Sequence, residues 1–204
     1  MDVDYASICS SAAKLVRQLK QSSYVRITGE GTDLIAHVDQ LLMKASTGVL
    51  RRLGDKGNLP GAEVYFVPVH LGNTNGHYTV PAGWGGPFPL EYKARFEVGQ
   101  GRIVRIIGED SAAQAYIDAK VNPLVFGGQD WDVVAEVGRG LNTAITTAYV
   151  QEHGWSPLAA EKIFFSSHIA NGNSKSFGGK NDVRVHHDWV IPDTQVEYQF
   201  SPAA

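Results

Sequence analysis

The residues best suited to chemistry stand near the end of the chain, in His186-His187-Asp188-Trp189. Side chains two apart in an extended strand project from the same face. His186 and Asp188 would therefore stand together while His187 points away. The preceding apolar segment, Glu161-Lys162-Ile163-Phe164-Phe165-Ser166-Ser167-His168-Ile169-Ala170-Asn171-Gly172, carries another imidazole at His168. Gly172, Gly178 and Gly179 between the two segments permit a reversal that brings His168 beside the pair. One histidine plus a His-x-Asp pair supplies nitrogen and oxygen donors of the kind that bind divalent cations. Each histidine taken alone fits equally well at the surface end of a strand.

Two carboxylates add to this set. Glu63 opens the apolar run Val64-Tyr65-Phe66-Val67-Pro68, and Glu136 is embedded in Asp132-Val133-Val134-Ala135-Glu136-Val137-Gly138. A carboxylate in such surroundings is costly to bury as an anion unless a positive group meets it. No Arg or Lys adjoins either acid in sequence, which favours a divalent cation as the partner. The alternatives are an exposed Glu63 at a strand start and a Glu136 paired with Arg139. Glu63, Glu136, His168, His186 and Asp188 exceed what one structural zinc needs. Such a set suits two cations about 3.5–4 Å apart that activate a bridging water for hydrolysis. Glu161 is the remaining acid near a ligand: a further ligand, a partner orienting a histidine, the general base, or an exposed acid pairing with Lys162.

Composition narrows the class of protein. The chain has 204 residues, 43% hydrophobic and 19% charged, which matches a soluble globular domain. A net charge of -3 with no Lys/Arg cluster argues against a nucleic-acid platform. Cys9 is the one cysteine, so neither an intramolecular disulfide nor a thiolate zinc site can form. Met1-Asp2-Val3-Asp4 lacks the pattern of a secretory signal, and no run has the length of a membrane span. A cytoplasmic protein without a membrane partner is the expectation. The 22 Gly and 9 Pro point to many turns and a sheet-rich fold.

The elements that must position these residues follow from periodicity. Ile8, Ala12, Leu15, Val16 and Leu19 recur at helical spacing and predict a helix over Tyr5–Gln21. Strands are predicted over Tyr24–Thr28 and Thr32–Val38, then an amphipathic helix from Asp39 to Leu53 and a loop over Gly54–Gly61. Glu63–Val69 and His77–Pro81 read as strands about a turn at Asn73–Gly76. Tyr92–Val98 and Arg102–Ile107 form a hairpin across Gly99-Gln100-Gly101. Ser111 is positioned to cap a helix through Ala119, and Trp131–Val137 predicts a strand ending at Gly138-Arg139-Gly140-Leu141-Asn142. The fold class is α/β (α+β), with a mixed, largely antiparallel sheet, few helices and the ligands at strand ends. No boundary divides the chain, and His37, His70, His77 and His153 fit no ligand spacing.

Gly31-Thr32-Asp33-Leu34, Asn58-Leu59-Pro60-Gly61-Ala62-Glu63-Val64 and Glu136-Val137-Gly138-Arg139-Gly140-Leu141-Asn142 resemble motifs of the thermophilic-type metallo-aminopeptidases, the aminopeptidase T and S group. The resemblance continues through Glu161-Lys162, His168-Ile169-Ala170-Asn171-Gly172 and His186-His187-Asp188. It implies a pair of divalent ions, zinc or cobalt first and manganese or magnesium next, in a homodimeric enzyme that removes N-terminal residues from peptides. By position it places Glu63, Glu136, His168, His186 and Asp188 on metal ligands and Glu161 on a further acid near the site. The sequence departs from that pattern at Lys175, where the family carries an active-site Tyr. The family's longer chains also have a preceding α/β domain, so residues 1–204 are expected to be one catalytic domain without it. Iron-dependent dioxygenases that open dihydroxypyridine rings share the terminal His-x-Asp. They use one iron in a two-His-one-carboxylate arrangement, with a histidine where this chain has Glu136. A relative that binds metal without turnover is the remaining alternative.

Overall fold

The computed structural model describes residues 3–55, 57–69, 72 and 74–200. Helix α1 (Tyr5–Gln21) forms as its periodicity predicts, with Asp4 capping its N-terminus by accepting from the Ser7 amide. Ile8, Ala12, Leu15 and Leu19 are its buried stripe. Each of the larger three contributes about 1.5–3 kcal/mol on leaving water.

The sheet contains β1 (Ser22–Gly29), β2 (Thr32–Ser46), β3 (Glu63–Pro68), β4 (Asn75–Val80), β5 (Ala94–Gly99), β6 (Arg102–Gly108), β7 (Val134–Gly140), β8 (Ser167–Gly172), β9 (His186–Ile191) and β10 (Gln195–Phe200). Its main path runs β6-β5-β4-β2-β3-β7-β8-β9, and β1 joins β2 to β10. All its ladders are antiparallel. The α+β class expected from the sequence is the one observed.

The helix expected over Asp39–Leu53 does not form. Instead β2 continues to Ser46, because Met43, Lys44, Ala45 and Ser46 pair with Phe66, Tyr65, Val64 and Glu63 of β3. Leu41 is 90% exposed, so no buried helical stripe exists to reward the alternative. Other departures are smaller. Asn75 and Gly76 belong to β4 rather than to a turn. The Gly138-Arg139-Gly140 stretch is the end of β7, not a break after it. Asp110, not Ser111, caps α2 (Ser111–Tyr116). That helix runs on through a π-helical turn, Ile117–Val121, into α3 (Asn122–Phe126). Two short helices, α4 (Thr147–His153) and α5 (Pro157–Ala160), precede β8. His70 lies outside the described residues.

The core sits on one face of the strands that matter for chemistry. Val64, Phe66, Val137, Ile169 and Trp189 belong to the buried apolar cluster, together with the α1 stripe. The Trp189 ring meets Phe96 at 4.9 Å, and its indole N–H donates to Asn171 Oδ1 at 2.8 Å. Strand alternation sends the intervening residues to the opposite face. That second face carries the polar groups.

Candidate metal centre

Register assembles the site. Glu136 pairs with Ala170, which pairs with Asp188, so these three occupy one row across β7, β8 and β9. The neighbouring rows align Tyr65 with Gly138 and His168, and Glu63 with Gly140. Gly172 aligns with His186. Cross-strand partners share a face, so Glu63, Glu136, His168, His186 and Asp188 all stand on one side of four adjacent strands. Small residues form the floor between them. A Cβ on Gly138 would lie 2.0 Å from His168 Nε2, which places the imidazole directly over that glycine.

All the acids and imidazoles singled out in the sequence are brought together. Their donor atoms form two groups, Glu63–Glu161–His168 and Glu136–His186–Asp188, each with its atoms within 4.8 Å of one another. His168 joins the groups: its Nε2 lies 3.2 Å from Glu136 Oε1 and 3.7 Å from Glu63 Oε2. His186 Nε2 is 3.7 Å from Glu136 Oε2 and 3.5 Å from Asp188 Oδ1. The alternative partner for Glu136 is excluded, since Arg139 on the opposite face donates to Thr194 and Ser167. An exposed Glu63 is excluded as well, at 4% exposure.

The electrostatics are those of a cation site. Burial raises Glu136 above the usual carboxylate range, with His168 partly offsetting it. Burial and the charge of Asp188 bring Glu161 up to about 7. Burial alone would lower both imidazoles, yet the surrounding carboxylates outweigh it. His168, bonded to Glu136, rises to about 9, as does His186 beside Asp188. Asp188 is conversely held low against its burial by His186. The same field of acids reaches Tyr65, whose phenol is raised chiefly by burial and further by Glu136, Glu63 and Glu161.

The donors of the second group fit a divalent cation. His186 Nδ1 is 2.8 Å from the Asn173 carbonyl, which can only accept, so Nδ1 carries the proton. Nε2 is thereby the nitrogen that faces Glu136 and Asp188, and once an ion displaced its proton it would be oriented as a metal-binding histidine. His168 presents Nε2 to Glu136 and Glu63, while its buried Nδ1 has no hydrogen-bond partner among the described residues. Nitrogen and carboxylate oxygen together suit zinc, cobalt or manganese.

The structure corrects the sequence reading at two lysines. A cation does meet Glu63: Lys162 Nζ lies 2.8 Å from Glu63 Oε1, with its side chain fully enclosed. It also donates to Glu161, so that acid is buried rather than part of an exposed pair. The apolar neighbours Ala160, Ile163, Phe164 and Phe165 were the available signal for an interior lysine. Lys175, at the position where the family Tyr was expected, begins the 3₁₀ turn Lys175–Phe177. It pairs with Asp182 at the surface. A nearer phenol is Tyr65, two residues after Glu63 on the same face. Its ring meets Phe177 at 5.5 Å, and Phe177 meets His186 at 5.0 Å. Tyr65, Phe177 and Glu63 line a cleft of about 580 Å³ with Lys44, Thr47 and Asn58.

No family model matches the sequence, and no curated protein matches it. Solved structures do share the fold. One is the 2,5-dihydroxypyridine dioxygenase of Pseudomonas putida KT2440, with a TM-score of 0.77 and 17% identity over 94% of this chain and 56% of that one. Another is wild-type AmpT, an aminopeptidase T, from Thermus thermophilus, with a TM-score of 0.66 and 20% identity over 96% of this chain and 51% of that one. The chain thus spans about half the length of either. Both neighbours are enzymes, and the fold they share is the one that gathers the acids and histidines here.

Proposed function

We propose that this chain is a metal-dependent hydrolase that releases N-terminal residues from peptides. The observation that carries this reading is the composition of the converged site: four carboxylates and two imidazoles on one sheet face and the adjoining segment, beside a cleft that ends at Glu63. Glu136, His186 and Asp188 would hold a divalent ion, with His168 at its side. Such an ion, when bound, lowers the pKa of a coordinated water and polarises a carbonyl. Glu161 sits near 7, where a carboxylate accepts a proton from water and returns it to a leaving amine. The surplus of negative charge suits a substrate whose free α-ammonium must be recognised. Phe177 and Tyr65 form apolar walls for the first side chain. The likeness to AmpT supports the choice of peptide substrate.

A second reading has a specific observation behind it, the higher TM-score to the ring-opening dioxygenase. The donor group here has one imidazole and two carboxylates, whereas the oxygenase pattern requires two imidazoles. The two readings separate in one set of assays. Protein loaded with zinc, cobalt or manganese is offered a panel of aminoacyl amides, and protein loaded with ferrous iron is offered 2,5-dihydroxypyridine in an oxygen electrode. Amine release that disappears in Glu136→Gln supports the hydrolase. Oxygen uptake with no amide cleavage would replace it with the oxygenase, and silence in both assays would leave a cation-binding protein without turnover.

A further inference from the structure

We infer that Lys162 is a built-in substitute for one of two cations, so that this centre takes a single divalent ion, held by Glu136, His186 and Asp188. The inference rests on the metal-dependent reading above and deepens it. The six donors divide into two groups, and the groups are not equivalent. In the Glu63–Glu161–His168 group, Lys162 Nζ is 2.8 Å from Glu63 Oε1 and donates to Glu161 as well. Two of the three donors are therefore already spent on an ammonium. In the Glu136–His186–Asp188 group no lysine or arginine among the described residues makes an ion pair with any of the three.

Lys162 is fixed where it stands. Its side chain has no exposure, so the nitrogen has no route to water by a change of rotamer alone. Its carbonyl accepts from the Asn142 amide at 2.9 Å, and its amide donates to the Ala159 carbonyl at 3.2 Å. The backbone from Lys162 to Ile163 packs so closely on β7 that a Cβ at Gly140 would lie 2.7 Å from the Lys162 carbonyl carbon and 2.1 Å from the Ile163 oxygen. The segment cannot lift without breaking these contacts. A protonated lysine offers three donors and no lone pair. A second dication among Glu63, Glu161 and His168 would have to share both carboxylates with it while meeting its charge at contact distance. Glu63 then serves the lysine and, through His168, positions an imidazole next to the single ion.

Counting ions tests this directly. Purified protein, stripped with a chelator, is equilibrated with zinc and the metal measured by mass spectrometry. The wild type is expected to hold one zinc per chain. Lys162→Ala, which frees the carboxylates, is expected to hold two. Glu63→Gln on the wild-type background is expected to keep its one zinc, and it decides the matter even if the lysine variant does not fold. With cobalt in place of zinc, the wild type should give an electron paramagnetic resonance signal without spin coupling. Two zinc ions in the wild type, or a fall from two to one on Glu63→Gln, would overturn the inference while leaving the hydrolase reading intact. No zinc in any variant would overturn both.

Discussion

Replacing Gly138 by alanine is the sharpest probe of the site because it touches no ligand and adds one carbon. That carbon would lie 2.0 Å from His168 Nε2 and 2.1 Å from Cε1, where ordinary contact begins at 3.4 Å. The imidazole must therefore retreat by about 1.4 Å, and it is fully buried with nowhere open to go. The backbone itself tolerates alanine, since Gly138 is not among the residues with positive φ. Overpacking of this kind costs about 1–3 kcal/mol of stability. His168 is hydrogen-bonded through Nε2 to Glu136 Oε1 at 3.2 Å, so moving the ring that far breaks its hold on a ligand of the ion. Changes that act on the partners of metal ligands cost about 10–100-fold in affinity, so His168 displacement should weaken zinc binding about tenfold or more. A chromophoric chelator competing for zinc measures this, with urea denaturation reporting stability on the same samples. Gly99→Ala is the control, as its added carbon meets only Val104 at 3.5 Å. If Gly138→Ala bound zinc as tightly as the wild type, His168 would not be near the ion and the geometry argued here would be wrong.

Three further outcomes are expected. Glu136→Gln keeps the shape of the row with Ala170 and Asp188 but removes the carboxylate common to both histidine contacts; zinc retention after dialysis should fall by at least tenfold, and unchanged retention would remove Glu136 from the ligand set. In the metal-free protein, His168 and His186 titrate at about 9 against an ordinary 6.5. Their raised values give stability that is complete below about pH 6.5 and lost as the pH climbs to about 9, at most about 3 kcal/mol for each; urea midpoints across that window should fall, and a flat profile would contradict the raised values. Zinc should reverse the trend, because binding displaces those protons. Asn171→Leu leaves the Trp189 indole N–H and the Trp131 carbonyl without the partners they have at 2.8 and 2.7 Å. The buried indole N–H left unpaired should cost about 1–3 kcal/mol, read as a lower urea midpoint with the slope unchanged.

Periodicity made much of this legible before any coordinates. The α1 stripe has one spacing and one solution, and Gly99-Gln100-Gly101 could hardly be other than the turn between β5 and β6. His186 and Asp188 were readable for the same reason, since a period of two is enough to place them together. Glu63 and Glu136 stood out as acids among apolar residues. The misreadings have non-local causes. Leu41, Leu42 and Met43 carry no period of either kind, and only the ladder to β3 makes that stretch a strand. Lys162 follows Glu161 in sequence and so resembled half of a surface pair. What buries it is the return of the 161–166 segment across Gly140, including the bond from the Gly140 amide to the Ser166 carbonyl at 3.0 Å. Lys175 occupies an aligned position, but the 3₁₀ turn directs it toward Asp182. Position along the chain could not convey that.

The rows that align Glu63, Glu136, His168, His186 and Asp188 draw their members from strands far apart along the polypeptide. An ion held by Glu136, His186 and Asp188 would act as a clasp, closing a loop that runs from the seventh strand to the ninth. Closure entropy grows only with the logarithm of loop length, so the longest loop is clasped at little more than the cost of a short one. A slip of one residue in any of these ladders would turn a ligand toward the core and open the clasp. Tight ion capture is thus available only to a sheet whose strands have all found their proper neighbours.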